Sequence, residues 1–172
     1  LLKKEIAFST DFMKTSVWGT DKSVTSKWSD YSASDPVQDI LTGKRTVSNN
    51  TGVDPNSLVM GYIVYERLSN HPDMIDRIKY TQIASASNVE QALGSVFGVN
   101  VLVGKGTYSN TNESASFSAS AIIDDDALLC YVTPNPGLFE ASAGYTFAWS
   151  GAGGAGTIDR YRDEPTKSDI IR

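Results

Sequence analysis

The stretch that decides the fold reads Asp54-Pro55-Asn56-Ser57-Leu58-Val59-Met60-Gly61, followed at once by Tyr62-Ile63-Val64-Tyr65-Glu66-Arg67-Leu68-Ser69-Asn70 and closed by His71-Pro72. Asp54-Pro55-Asn56 is a turn signal, and Ser57 to Met60 is a short apolar run of the kind that lies buried in a sheet. Gly61 separates this strand from a helix over Tyr62 to about Asn70, which ends because the residue before a proline is pushed out of the helical region. Pro72 to Ile78 forms a second helical turn, with Ile75 and Ile78 expected to point inward. Asn88-Val89-Glu90-Gln91 has a capping-box arrangement, and Val89, Leu93, Val96 and Phe97 fall at helical spacing before Gly98 ends the turn. Val99 to Val103 then follows as a β-branched run. Strand, helices and strand alternate here, as in a small mixed sheet covered by helices.

Outward toward the amino end, Ser34-Asp35-Pro36 places a small polar cap before a proline at the first helical position, which removes one otherwise unpaired amide. A helix is predicted from Pro36 to Asn49, about 20 Å long, with Val37, Ile40 and Leu41 on one face. Lys44 and Arg45 sit near its far end, where they favour the negative pole of the helix dipole, and Asn49-Asn50-Thr51-Gly52 supplies the stop. Leu1 to Tyr31 is polar and turn-rich but carries Phe8, Phe12, Val17, Trp18, Val24 and Trp28 with little periodicity. It reads as extended arms or short strands whose large apolar side chains bury against a partner or a missing part of the chain, the competing reading being that they fold back onto this domain.

Outward toward the carboxyl end the pattern turns to β. Lys105 to Ser109, a polar turn at Asn110 to Glu113, an alternating Ser116 to Ile122, a turn at Asp124-Asp125-Asp126 and a buried strand from Ala127 to Val132 follow in order. Thr133 to Gly137 is a rigid loop with two prolines. Tyr145 to Trp149 and Thr157 to Arg162, joined by a glycine-rich loop, read as a long hairpin. The chain contains no internal repeat.

Composition narrows the function classes. A chain of 172 residues can hide about two-thirds of its unfolded surface, and with 40% hydrophobic and 20% charged residues it reads as soluble and folded. Ala127 to Val132 is the longest apolar run, far short of a membrane span. Fifteen Lys and Arg against twenty Asp and Glu leave a formal charge of −5, and no basic stripe argues for sequence-specific nucleic-acid binding. The single Cys130 excludes an intramolecular disulfide and points to a reducing compartment, and the single His71 excludes a zinc site built on two imidazoles. A start at Leu1 with no charged and apolar leader reads as a piece of a longer protein.

Motifs that could carry chemistry fall to simpler readings. Gly151, Gly153 and Gly156 satisfy G-x-G-x-x-G, but the strand pattern of Thr157 to Arg162 follows where a dinucleotide loop needs a helix, so they read as a hairpin loop. Asp124 to Asp126 lack the alternating spacing of a calcium loop and read as a solvated turn. Cys130, inside an apolar strand without an adjacent cation, reads as a small buried hydrophobe. His71 reads as a capping or surface residue. As a general base it would belong to a small hydrolase with an acid from Asp124 to Asp126, but no G-x-S-x-G elbow or second histidine supports one. No cofactor is called for.

From Trp28 onward, the order of Trp28-Ser29-Asp30, Ser34 to Ile40, Thr51-Gly52, Pro55 to Gly61, Val64 to Leu68 and His71-Pro72 resembles the major capsid proteins of tailed bacteriophages and prophages, with the Hong Kong 97-like fold. The likeness continues through Gln91 to Gly94, Val99 to Gly104, Gly144 to Trp149 and Tyr161 to Glu164. It implies an α+β major capsid fold with a mixed-sheet axial domain covered by helices and a peripheral domain with a spine helix and a long β hairpin. By that likeness residues 1–52 hold an extended-loop remnant and the peripheral domain with its spine helix, 53–142 the axial domain, and 143–172 the returning peripheral strands. The family's long amino-terminal arm and the end of its closing strands are missing.

The resemblance further implies a non-enzymatic subunit of a virion. Such a subunit self-assembles through pentamers and hexamers into an icosahedral shell around double-stranded DNA, with only non-specific contact to that DNA and none to a membrane. Scaffolding protein, maturation protease and portal would be its other partners, and the host bacterial cytoplasm its place of assembly. Phe8, Phe12, Trp18, Trp28, Lys44 and Arg45 are the assembly-contact candidates. The competing reading is a phage tail or baseplate component, or another β-rich binding module without catalysis, drawn from the hairpin half after Lys105.

Overall fold

The computed structural model describes residues 2–14, 16–22, 26–79, 89–109, 111–112, 116–137, 139–145, 147 and 160–171. The chain divides into two compact units, Leu1–Val132 and Thr133–Arg172.

The first unit is mixed α+β. It opens with helix α1 (Leu2–Phe12), where extended arms or strands were expected. Leu2, Lys3, Lys4, Glu5 and Ala7 are strong helix formers, and their propensity prevails over the weak apolar period. Helix α2 (Pro36–Thr51) starts as the proline predicts: the Asp35 carboxylate accepts from the Gln38 amide at 3.0 Å. It runs two residues past Asn49 and stops at Gly52, whose φ of 72° is the left-handed conformation of a helix terminator.

Strand β1 (Ser57–Gly61) leads directly into α3 (Tyr62–Ser69), then α4 (Pro72–Lys79), α5 (Val89–Phe97) and β2 (Asn100–Gly104). The short strands β3 (Thr107–Ser109) and β4 (Ala119–Ala121) pair antiparallel, and β5 (Ala127–Cys130) completes the main sheet. Its order is β2-β1-β5, with β1 parallel to β2 and antiparallel to β5. This is the mixed sheet with helical cover that the alternation predicts. The parallel pairing demands a long crossover, which α3, α4 and α5 supply.

Asn56 pins both edges of this register. Its amide N–H donates to the Cys130 carbonyl and its own carbonyl accepts from the Asn100 amide at 2.7 Å. Its side chain does the same for the end of the sheet, donating to the Val132 carbonyl at 2.7 Å and accepting from the Val132 amide at 2.9 Å. One residue therefore ties β1 to both neighbours.

The core forms where the sheet meets the helices. Leu58, Met60 and Val101 join Val37 and Ile40 of α2, Val64 and Leu68 of α3, Met74 of α4, and Leu93 and Phe97 of α5. In α4 it is Met74 that is fully buried, while Ile75 is half-exposed, contrary to the inward position expected of it. His71 opens α4 and sets the phase of its first turn, which brings the methionine round to the core. Ile78 packs against the core edge as expected. The Asn88 cap expected for α5 lies outside the described residues.

In the second unit β6 (Arg160–Asp163) pairs antiparallel with β7 (Ser168–Ile171). The partner expected for Thr157 to Arg162 was instead Tyr145 to Trp149, of which Tyr145 and Phe147 are described and lie in no strand. The Glu164 to Lys167 turn closes the nearer hairpin, and a short loop costs less closure entropy than the longer glycine-rich one. The G-x-G-x-x-G stretch of Gly151 to Gly156 lies outside the described residues.

Gly61 lets the loop before β5 lie on the end of the sheet, where its N–H donates to the Asp126 carbonyl at 3.1 Å. A Cβ there would stand 2.0 Å from the Asp124 carbonyl oxygen and 2.7 Å from that of Ile123, both backbone atoms with no rotamer to turn aside. Gly61→Ala is expected to destabilise the protein by about 3 kcal/mol in urea denaturation. Gly19→Ala, where nothing lies within 4 Å, should stay within about 0.5 kcal/mol of the parent. Equal midpoints for the two variants would contradict this packing.

Candidate functional site

The polar constellation most like a reaction centre surrounds His71. Chain reversal between α3 and α4 buries its ring completely, with Tyr31 edge-on at 5.5 Å between centroids. The Asp73 amide N–H points at Nδ1 at 3.3 Å, and the Ser34 hydroxyl lies 3.1 Å from Nε2. An amide can only donate, so Nδ1 accepts, and the neutral ring carries its proton on Nε2 and donates it to Ser34 Oγ. Ser34 in turn donates to the Asp30 carbonyl at 2.6 Å.

Ser34, His71 and Asp73 thus stand in the order of a hydrolytic triad but with the protons reversed. A base must take the serine proton through an unprotonated ring nitrogen, and its carboxylate must hold the other N–H. Here Nε2 already bears the proton, the Asp73 carboxylate is 3.6 Å from Nδ1, and the ring has no exposed edge for a substrate. The arrangement does capping work: His71 caps α4 and ties it to the turn that starts α2. The capping expectation for His71 holds, but the residue is buried rather than on the surface. Asp124 to Asp126, the acids paired with it in the hydrolase reading, instead belong to the loop lying on Gly61.

The packing around two titratable groups at the sheet shifts them. Burial pushes the Cys130 thiol up, as expected of a small hydrophobe inside a strand. The Asp126 carboxyl is also raised, first by desolvation where its loop lies on the end of the sheet and then by its neighbours Asp125 and Asp124. Among the described residues no group of three His, Cys, Asp or Glu side chains is placed to hold a metal ion. No helix among them is long and apolar enough to cross a membrane. An open groove beside Tyr62, Ile63 and the Gly104–Thr107 connection has mostly apolar walls, without the convergent polar groups of a catalytic pocket.

The assembly-contact candidates occupy different environments. Lys44 lies mid-helix rather than near the end, because α2 extends to Thr51, and its ammonium donates to the Phe97 carbonyl at 2.9 Å. It therefore complements the negative pole of α5, a service that sequence spacing alone could not assign. Arg45 is exposed on the adjacent position of α2. Trp28 packs against the core, and its indole N–H donates to the Asp39 carboxylate at 3.0 Å. The indole N–H of Trp18 donates to the Phe12 carbonyl at the end of α1, and the Phe12 ring is half-exposed. Phe8 is on α1, and its side chain lies outside the described residues.

Comparison with known proteins gives this fold a kinship. The chain is 30% identical over 145 residues to the major capsid protein of Burkholderia phage BcepMu, covering 81% of this chain. It spans only 44% of that relative's length. The crystal structure of a phage-related protein from Bordetella bronchiseptica RB50 superposes with a TM-score of 0.67 at 26% identity, covering 88% of this chain and 48% of that one. No family model matches the sequence. The lobe is of a kind found in phage-related proteins, a helix-covered mixed sheet. The chain is a homologue of a bacteriophage major capsid protein, as the resemblance in its residues implies.

His71→Ala is expected to cost about 2–4 kcal/mol in thermal or urea unfolding, because it opens a cavity and leaves the Asp73 amide without its acceptor. A loss below about 1 kcal/mol would contradict the capping role. The raised Asp126 carboxyl predicts a pH-dependent effect of the opposite sign. Its charged form is disfavoured in the folded chain, so stability is fully present below the carboxyl's unfolded value near pH 4 and declines as pH rises through the higher folded one. Asp126→Asn should therefore raise the unfolding midpoint at pH 7 and leave it unchanged near pH 3. A lowered midpoint at pH 7 would reverse the assignment.

Proposed function

We propose that this chain is part of the structural subunit of a phage or prophage capsid, with the Hong Kong 97-like fold, and that the full-length protein self-assembles into an icosahedral shell enclosing double-stranded DNA. The observation that carries this reading is the 30% identity to a phage major capsid protein across 81% of the chain. The lobe suits the role: its polar groups hold helices and strand ends, and the hydrogen-bonded His71 network leaves Ser34 without a base. The β-rich module gains no support from a unit whose core rests on four helices.

On this reading α2 is the spine helix, 53–142 the axial domain and 143–172 the returning peripheral strands. The chain acts without catalysis or cofactor. Its partners are copies of itself in pentamers and hexamers, with scaffolding protein, maturation protease and portal during assembly in the host cytoplasm. Phe8, Phe12, Trp18 and Arg45 are proposed to meet neighbouring copies, while Trp28 and Lys44 hold the surfaces beneath them. A shell gains strength by repeating a modest interface many times, so an acidic chain need only enclose its DNA.

The full-length protein, produced with its scaffolding partner and protease, is expected to form closed hollow particles in negative-stain micrographs. A chain that stays monomeric at high concentration under those conditions would overturn the reading.

A further inference from the structure

The segment between α1 and α2 is stitched by side chains, and the stitching ends on one carboxylate. Trp18 donates to the Phe12 carbonyl, closing α1 onto the following turn, and the Ser16 amide donates to the Asp21 carboxylate. Lys22 then donates to one oxygen of Asp39 at 2.7 Å, while the Trp28 indole donates to the other at 3.0 Å. Asp39 is less exposed than Lys22, with 23% against 43% of its side chain open, and it stands in the first turn of α2, where negative charge is favoured. Both oxygens of a partly buried carboxylate are thereby committed to a segment outside its own helix, in charge-assisted hydrogen bonds stronger than neutral ones.

We infer that Asp39, by accepting from Lys22 and Trp28 at once, is the positioning residue that holds the segment before α2 against the first turn of that helix, and so fixes the surface that segment offers a neighbouring copy. The inference rests on the capsid reading above. α2 is fixed to the sheet through Val37 and Ile40, so the clamp transmits the orientation of the core to the segment. Loss of the clamp loosens the segment around Lys22, while Trp28 keeps its packing on the core and Ser34 its contact with His71.

The test uses the full-length protein with Asp39→Asn and Lys22→Met, and Lys22→Arg as the conservative variant. Lys22→Met leaves the first turn of α2 untouched, so it separates the clamp from any effect of Asp39 on the helix dipole. Amide hydrogen exchange in 16–22 and 26–30 is expected to quicken by about tenfold in the first two variants, with α2 and β1 unchanged, and to stay near the parent rate in Lys22→Arg. The same two variants are expected to give aberrant or fewer closed particles, and Lys22→Arg to restore them. Unchanged exchange would overturn the clamp, and faster exchange with normal particles would overturn its positioning role. A parent protein that forms no particles would instead sink the capsid reading and this inference with it, a result distinct from the other two.

Discussion

Everything in the first unit depends on β1 being a strand with neighbours on both sides. Ser57 to Gly61 pairs parallel with β2, and Ser57 to Met60 antiparallel with β5, so the strand's backbone faces a partner on both sides and its buried side chains have fixed positions. The parallel partner can be reached only by a crossover, and the crossover is the three helices whose apolar faces cover the sheet. Asn56 holds this arrangement at its entrance, since a slip of one residue would turn Leu58 and Met60 away from the core.

The buried and half-buried polar side chains extend the same logic. His71 joins the start of α4 to the turn before α2, Lys44 joins α2 to the end of α5, and Asp39 joins α2 to the segment that precedes it. The His71 and Lys44 ties link elements far apart in sequence, and the Asp39 tie links neighbouring ones, each at a point where a polar group finds its partner in another element. Among the described residues no buried side-chain nitrogen or oxygen is left without one. His71, Lys44 and Asp39 are thus committed to holding the lobe together.

What was legible in the sequence follows from the range of each signal. Caps and prolines act locally, so the start of α2 at Pro36, its stop at Gly52 and the break at His71-Pro72 could be read directly. The apolar runs of β1 and β2 announced a helix-covered sheet because helices lie between them, whereas the buried run of β5 gave no sign that it would pair with β1. Period is a weaker guide in short helices, which is why Ile75 is expected inward where Met74 is buried, and why α1, whose apolar residues keep no clear helical stripe, reads as an extended arm. Strand pairing is a non-local property, and β6 found its partner in Ser168 to Ile171, a segment with no strong strand pattern of its own. The destinations of Lys44 and Asp39 were equally out of reach, because a lone charged residue carries no mark of a partner distant in the chain.

On the proposed capsid reading these ties have a purpose, since a subunit repeated many times would need a rigid lobe to present its contacts in fixed directions. The most direct measurement of that account is an electron cryomicroscopy reconstruction of the particle made by the full-length protein. It should show, in each subunit, a three-stranded sheet with β1 at its centre, backed by α2 and α5, and the segment before α2 held beside Asp39 and facing an adjacent copy. Density in which β1 lies at a sheet edge, or in which the repeating unit lacks this helix-covered sheet, would contradict it.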